Sequence, residues 1–124
     1  MSKEQVTLQM VKEAQERLQG VAQKTGLSYT NSVSKLAGCD VWLKLENLQR
    51  TGSFKLRGAY NKVASLTPEE REKGVIAASA GNHAQGVALA ASVYGCQSTI
   101  CMPKHAPLTK VAATRGYGAN VVLH

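Results

Sequence analysis

With 124 residues, 44% of them hydrophobic and 19% charged, the chain is long enough to bury one small core and too apolar for a disordered tract. Fifteen Lys and Arg against eight Asp and Glu give a net charge of +7, yet the basic residues are scattered without a block of like charge, which argues against a nucleic-acid partner. No stretch approaches the ~18 to 20 apolar residues of a membrane span, and the polar opening Met1-Ser2-Lys3-Glu4-Gln5 is not a secretory signal, so no membrane partner and a cytoplasmic location are expected.

The first expected element is a helix over Thr7 to Gln19. Val11, Ala14, Leu18 and Val21 recur at helical spacing, Thr7 suits the N-cap and Gly20 the C-terminal end. A turn-rich segment follows from Thr25 to Gly38, and Val41 to Glu46 alternates as a strand does. Gly52 leads into a helix over Ser53 to Ala64. Thr67-Pro68-Glu69-Glu70 begins another, with a cap, a first-turn proline and acids at the positive end of the dipole. Gly74 stops it. Val75 to Ser79 reads as a strand buried on both faces. An Ala-rich helix over Ala84 to Tyr94 ends at Gly95. Ser98 to Met102 is a second buried strand, stopped by Pro103. Leu108 to Arg115 is a short helix stopped by Gly116, and Asn120 to Leu123 is a third strand.

Strands alternating with helices predict an α/β fold with a parallel sheet, helices covering it and right-handed crossovers. Three strands make a thin sheet that leaves apolar surface open, so the chain is expected to be a piece of something larger. Cys39, Cys96 and Cys101 are odd in number and lack a C-x-x-C pair. Free thiols are therefore expected, with no disulfide framework and no metal site.

Two segments carry chemistry. Ser79-Ala80-Gly81-Asn82-His83-Ala84-Gln85-Gly86 lies between a strand and a helix, at the carboxyl end of a parallel strand, where open α/β sheets place ligands. Gly81 lets the backbone approach a ligand, Asn82 adds a donor and an acceptor, and the free N–H groups of the helix start favour a carboxylate or phosphate. Read plainly, the same residues are an ordinary strand-to-helix turn with an Asn cap. The other segment runs from Glu46 to Ala59. Lys55 sits near the positive end of a helix with Arg57 close by, and both influences favour the neutral amine that attacks a carbonyl. Read plainly, Lys55 is a solvated surface lysine.

Thr51-Gly52-Ser53-Phe54-Lys55-Leu56-Arg57-Gly58-Ala59 resembles the cofactor-attachment motif of threonine/serine dehydratases and serine racemases, within the tryptophan-synthase-β-like (fold type II) pyridoxal-phosphate enzymes. Ser79-Ala80-Gly81-Asn82-His83 resembles their second signature, in order and at the expected separation. The opening helix and Lys44-Leu45-Glu46-Asn47 also fit. The resemblance implies a partial three-layer αβα fold. Residues 1–50 would belong to a large domain, and residues 51–124 to a partial small domain carrying the Schiff-base lysine. It implies pyridoxal 5′-phosphate as cofactor, held by Lys55, with Phe54 beside the ring and Asn82 at its 3′-hydroxyl. Ser79, Gly81, Asn82 and His83 would receive the substrate carboxylate, and the released Lys55 amine would take the Cα proton.

The implied activity is threonine (serine) ammonia-lyase. The implied partner is a small amino-acid substrate, and the implied parent is a homo-oligomer. Leu56, where cysteine synthases have Asp, and His83, where they tend to have Thr, point away from the β-replacing synthases. Ala80, where eukaryotic serine racemases carry an acid/base serine, points away from racemisation because alanine transfers no proton. Gly26 stands where many relatives have proline, which is expected to loosen that loop. The family's glycine-rich phosphate loop and its pyridine-nitrogen partner are not among the 124 residues. The expectation is a fragment that does not turn over alone. A racemase, a β-replacing synthase and a non-catalytic interaction fragment remain the alternatives.

Overall fold

The computed structural model describes residues 5–124; the polar opening at Met1 to Glu4 lies outside them. Helix α1 spans Leu8–Arg17, and the Thr7 side chain accepts from the Met10 N–H as its cap. Only the end of its expected apolar face packs: Leu18 and Val21 rest against the core, whereas Val11 is 54% exposed. The segment expected to be turns holds two elements, strand β1 (Leu27–Tyr29) and helix α2 (Asn31–Ala37). Strand β2 is only Trp42–Lys44, and a 3₁₀ turn over Glu46–Leu48 ends the expected alternation. β1 and β2 pair antiparallel as a small separate sheet, with the Tyr29 and Trp42 rings edge to face at 5.3 Å.

From Gly52 onward the expected order holds. Gly52 adopts φ +67, a left-handed turn that glycine enters without strain. Helix α3 begins at Lys55 and runs to Ala64, and the Ser53 hydroxyl accepts the Lys55 N–H at 3.4 Å. Helix α4 (Pro68–Glu72) opens with a complete capping box between Thr67 and Glu70. Then come β3 (Val75–Ala78), α5 (Asn82–Val93), β4 (Ser98–Met102), α6 (Leu108–Gly116) and β5 (Asn120–Leu123). The three strands form one parallel sheet in the order β3-β4-β5.

Helices α5 and α6 both return over the same face. Ile100 and Met102 point into the core they make with Ala84, Val87, Ala88 and Val111. Burying a side chain such as Ile100 stabilises by about 1.5–3 kcal/mol. The alternate residues face the other way. Ile76 is 76% exposed and Val122 is 42% exposed, so β3 is not buried on both faces, as its apolar run predicted. Among the described residues, the second helical layer of a three-layer arrangement is not present. Helix α5 is apolar all round because it lies between the sheet and α3, where Leu56, Tyr60 and Val63 meet Ala90.

Candidate active site

Helices α3 and α5 run in the same direction. Lys55 and Ala59 meet α5 at Gly86. Further along, Tyr60 stacks near Tyr94 at 5.4 Å. The contacts ascend together on both helices, so the two N-termini lie at one end. Lys55 thus begins one helix beside the turn that begins the other. The close approach depends on Gly86, where a Cβ would lie 3.1 Å from the Lys55 carbonyl oxygen. That turn follows β3, at the carboxyl end of the sheet, where ligands bind in open α/β folds.

Each residue singled out in the sequence can be placed. The Lys55 ammonium is exposed, makes no hydrogen bond or ion pair among the described residues, and sits 5.2 Å from the Phe54 ring. Phe54 is itself 59% exposed at the head of α3. Ser79 pairs back to β4 through its N–H on the Cys101 carbonyl at 3.0 Å. Its hydroxyl accepts from the Gly81 and Ala84 N–H groups at 3.3 and 3.2 Å, so Ser79, and not Asn82, caps α5. The backbone N–H groups of Asn82 and His83 have no acceptor among the described residues. A Cβ on Gly81 would meet nothing within 4 Å, so the space beside the turn is open. The Asn82 and His83 side chains diverge. Asn82 accepts from Lys110 of α6 at 2.7 Å, whereas His83 lines a groove of about 560 Å³ between α3 and β3. Convergence at the turn therefore comes from backbone amides.

Arg57 does not act as a free cation beside Lys55, as expected from sequence. Its guanidinium grips Glu46 through two bonds, Nε at 2.8 Å and Nη2 at 2.9 Å. Thr25 adds a bond to the same carboxylate at 2.9 Å. The Arg57 bonds hold the Glu46 carboxyl at about 2, from an ordinary value of 4.5, against the opposing effect of burial. Glu46 in turn raises Arg57. This pair ties the N-terminal segment to α3 two residues past Lys55. Gln49 strengthens the tie by bonding both the N–H and the carbonyl of Gln23. At the other side, the Tyr117 hydroxyl donates to the Arg50 carbonyl at 2.9 Å, holding the loop before α3 against the end of α6. Sequence reasoning passed over Gly86, Lys110 and the Glu46–Arg57 pair. Gly86 alone left a signal, a glycine inside an Ala-rich helix that costs about 1 kcal/mol unless packing requires it.

A free amine and free helix amides lie together beyond the strand ends of this α/β fold, a donor set suited to an anionic carbonyl compound. A family model described as pyridoxal-phosphate dependent enzyme matches residues 18–124, and the chain belongs to that family. It is 57% identical over 118 residues to the L-threonine ammonia-lyase of Thermotoga maritima, covering 95% of this chain and 29% of that protein. It is 52% identical over 119 residues to the catabolic L-threonine dehydratase of Escherichia coli K12, covering 96% of this chain and 36% of that protein. The serine racemase of Dictyostelium discoideum superposes with a TM-score of 0.88 at 42% identity, covering 95% of this chain and 38% of that one. The chain thus spans about a third of the length of the relatives it matches, and its fold is that of the fold type II enzymes. The donor set fits the family's cofactor: an unengaged amine for the carbonyl, an aromatic ring beside it, and unpaired amides with open space before them. Among the described residues, no helix is long and apolar enough to cross a membrane.

Proposed function

We propose that these residues form the lysine-bearing part of a threonine (serine) ammonia-lyase, which converts L-threonine or L-serine to 2-oxobutanoate or pyruvate plus ammonia. One observation carries this reading: Gly86 brings the start of α3, with the Lys55 amine, against the helix whose free amides open toward the same end. Lys55 would hold pyridoxal 5′-phosphate, with Phe54 beside the ring and Asn82 donating to its 3′-hydroxyl oxygen. The chemistry supplied by the bound cofactor is that of an electron sink for the pair left at Cα. The N–H groups at Asn82 and His83, with Ser79 and Gly81 shaping the turn, receive the substrate carboxylate. Its negative charge would be held there while the Lys55 amine, released from the cofactor by the substrate amine, takes the Cα proton. The β-hydroxyl then leaves with a proton equivalent to the one taken from Cα, so that the elimination releases one water.

Racemisation is disfavoured because Ala80 offers no group to return a proton from the other face. The identities of 57% and 52% to a threonine ammonia-lyase and a threonine dehydratase support the same choice, although the racemase superposes well. Residues 1–50 group with a large domain and 51–124 with a small one. This division is supported by the separate β1–β2 sheet, whose Leu27 and Trp42 are 63% and 57% exposed. The three free cysteines suit a reducing cytoplasm. A homo-oligomeric parent follows the family resemblance.

Trapping tests the site. Pyridoxal phosphate is added, the adduct is reduced with borohydride, and the labelled lysine is mapped by mass spectrometry. Lys55 should label well ahead of Lys62 on the same helix, and Lys55→Ala should lose the label without gaining another. Equal labelling of Lys55 and Lys62 would overturn the assignment. In the larger protein of which these residues would form the lysine-bearing part, product analysis with L-serine separates the activities: pyruvate and ammonia for the lyase, D-serine for a racemase.

A further inference from the structure

We propose that Lys110 is a positioning residue that fixes the Asn82 carboxamide with its NH₂ turned toward the ligand; this rests on the reading above. The Lys110 ammonium meets the Asn82 side chain at 2.7 Å. An ammonium has three donors and no acceptor, so the amide atom it touches is the oxygen. An asparagine amide is otherwise ambiguous between its two orientations. With Oδ1 committed to Lys110, Nδ2 is the atom left to face a ligand. The group opposite Asn82 must then be an acceptor, and an anionic oxygen suits it best. A ring hydroxyl of the cofactor in its ionised form meets that requirement.

Lys110 is well placed for this duty. It comes from α6, 28 residues away, and is half-buried. Its backbone is anchored on both sides: its N–H bonds the Pro107 carbonyl at 2.9 Å, and its carbonyl accepts the Thr114 hydroxyl at 2.8 Å. The next residue, Val111, is in the core. An anchored helix thus delivers the ammonium, which also adds positive charge beside the unpaired N–H groups of Asn82 and His83. Helix α6 thereby acts on a turn that joins β3 to α5.

The test uses the wild-type chain, K110M, K110R, N82A and the double variant K110M/N82A. The first measurement needs no cofactor: the carboxamide carbon and NH₂ resonances of Asn82 by NMR. They should shift in K110M and stay near wild type in K110R. The second is pyridoxal-phosphate affinity from absorbance. K110M should weaken it about three- to tenfold, the range of one hydrogen bond, and K110M/N82A should be no weaker than N82A, because Lys110 acts through Asn82. Unchanged Asn82 resonances in K110M overturn the proposal, whatever happens to its thermal midpoint. So do K110M and N82A effects that add. If wild type labels Lys62 as readily as Lys55, the proposed function fails, and the resonances still decide the role of Lys110.

Discussion

Gly86 shows how much one residue can decide. A methyl group there would sit 3.1 Å from the Lys55 carbonyl oxygen and 3.3 Å from the Ala59 Cβ. Neither can rotate away, since one is backbone and the other is the whole of a side chain. Gly86→Ala should therefore destabilise by about 1–3 kcal/mol through overpacking, despite the ~1 kcal/mol that alanine gains in helix propensity. Urea unfolding midpoints measure the loss. The same variant should label Lys55 less selectively over Lys62, because α3 must move away from α5. The motif around Lys55 and the turn at Ser79 to His83 were both legible in the sequence. The contact joining them was not, since a 31-residue separation reveals nothing of packing until both helices are placed.

At the scale of elements, β3 and β4 make the instructive pair. Val75 to Ala78 and Ser98 to Met102 are apolar runs of the same texture. In the fold, Ile100 is fully buried and Ile76 is 76% exposed. The cause is the chain's path: α5 and α6 return over one face and leave the other open. Ile100→Ala should cost about 2–5 kcal/mol, and Ile76→Thr should stay within about 0.5 kcal/mol in this chain. Paired urea titrations separate the two. Equal losses would mean that the open face is covered in solution. The turn-rich reading of Thr25 to Gly38 failed for a related reason. Strands of three residues are too short to show a period, and β1 is defined by its partner β2, some fifteen positions away.

At the scale of the whole molecule, the Glu46–Arg57 pair fastens the N-terminal segment to the helix that carries Lys55. Glu46 is held at about 2 against an ordinary 4.5. Its contribution to stability is therefore complete above about 4.5 and is lost as pH falls through about 2. Glu46→Gln should lose about 1 kcal/mol at neutral pH, a modest figure because the Arg57 side chain is 36% exposed. The variant and wild-type stability curves should approach one another between pH 5 and 2 in denaturant titrations. Parallel curves would show that the pair contributes nothing. Local signals carried much of the fold: the cap and proline that start the helix at Thr67, the glycine at Gly52 that leads into α3 and the alternation of strands and helices all depend on near neighbours, so the order of residues was enough to indicate them. The sheet's open face, the parallel run of α3 and α5, the pairing that removes Arg57 from Lys55 and the hold of Lys110 on Asn82 were decided only by tertiary structure. Each is a contact between distant positions, and its existence depends on where the backbone carries two surfaces, which no single stretch of sequence specifies.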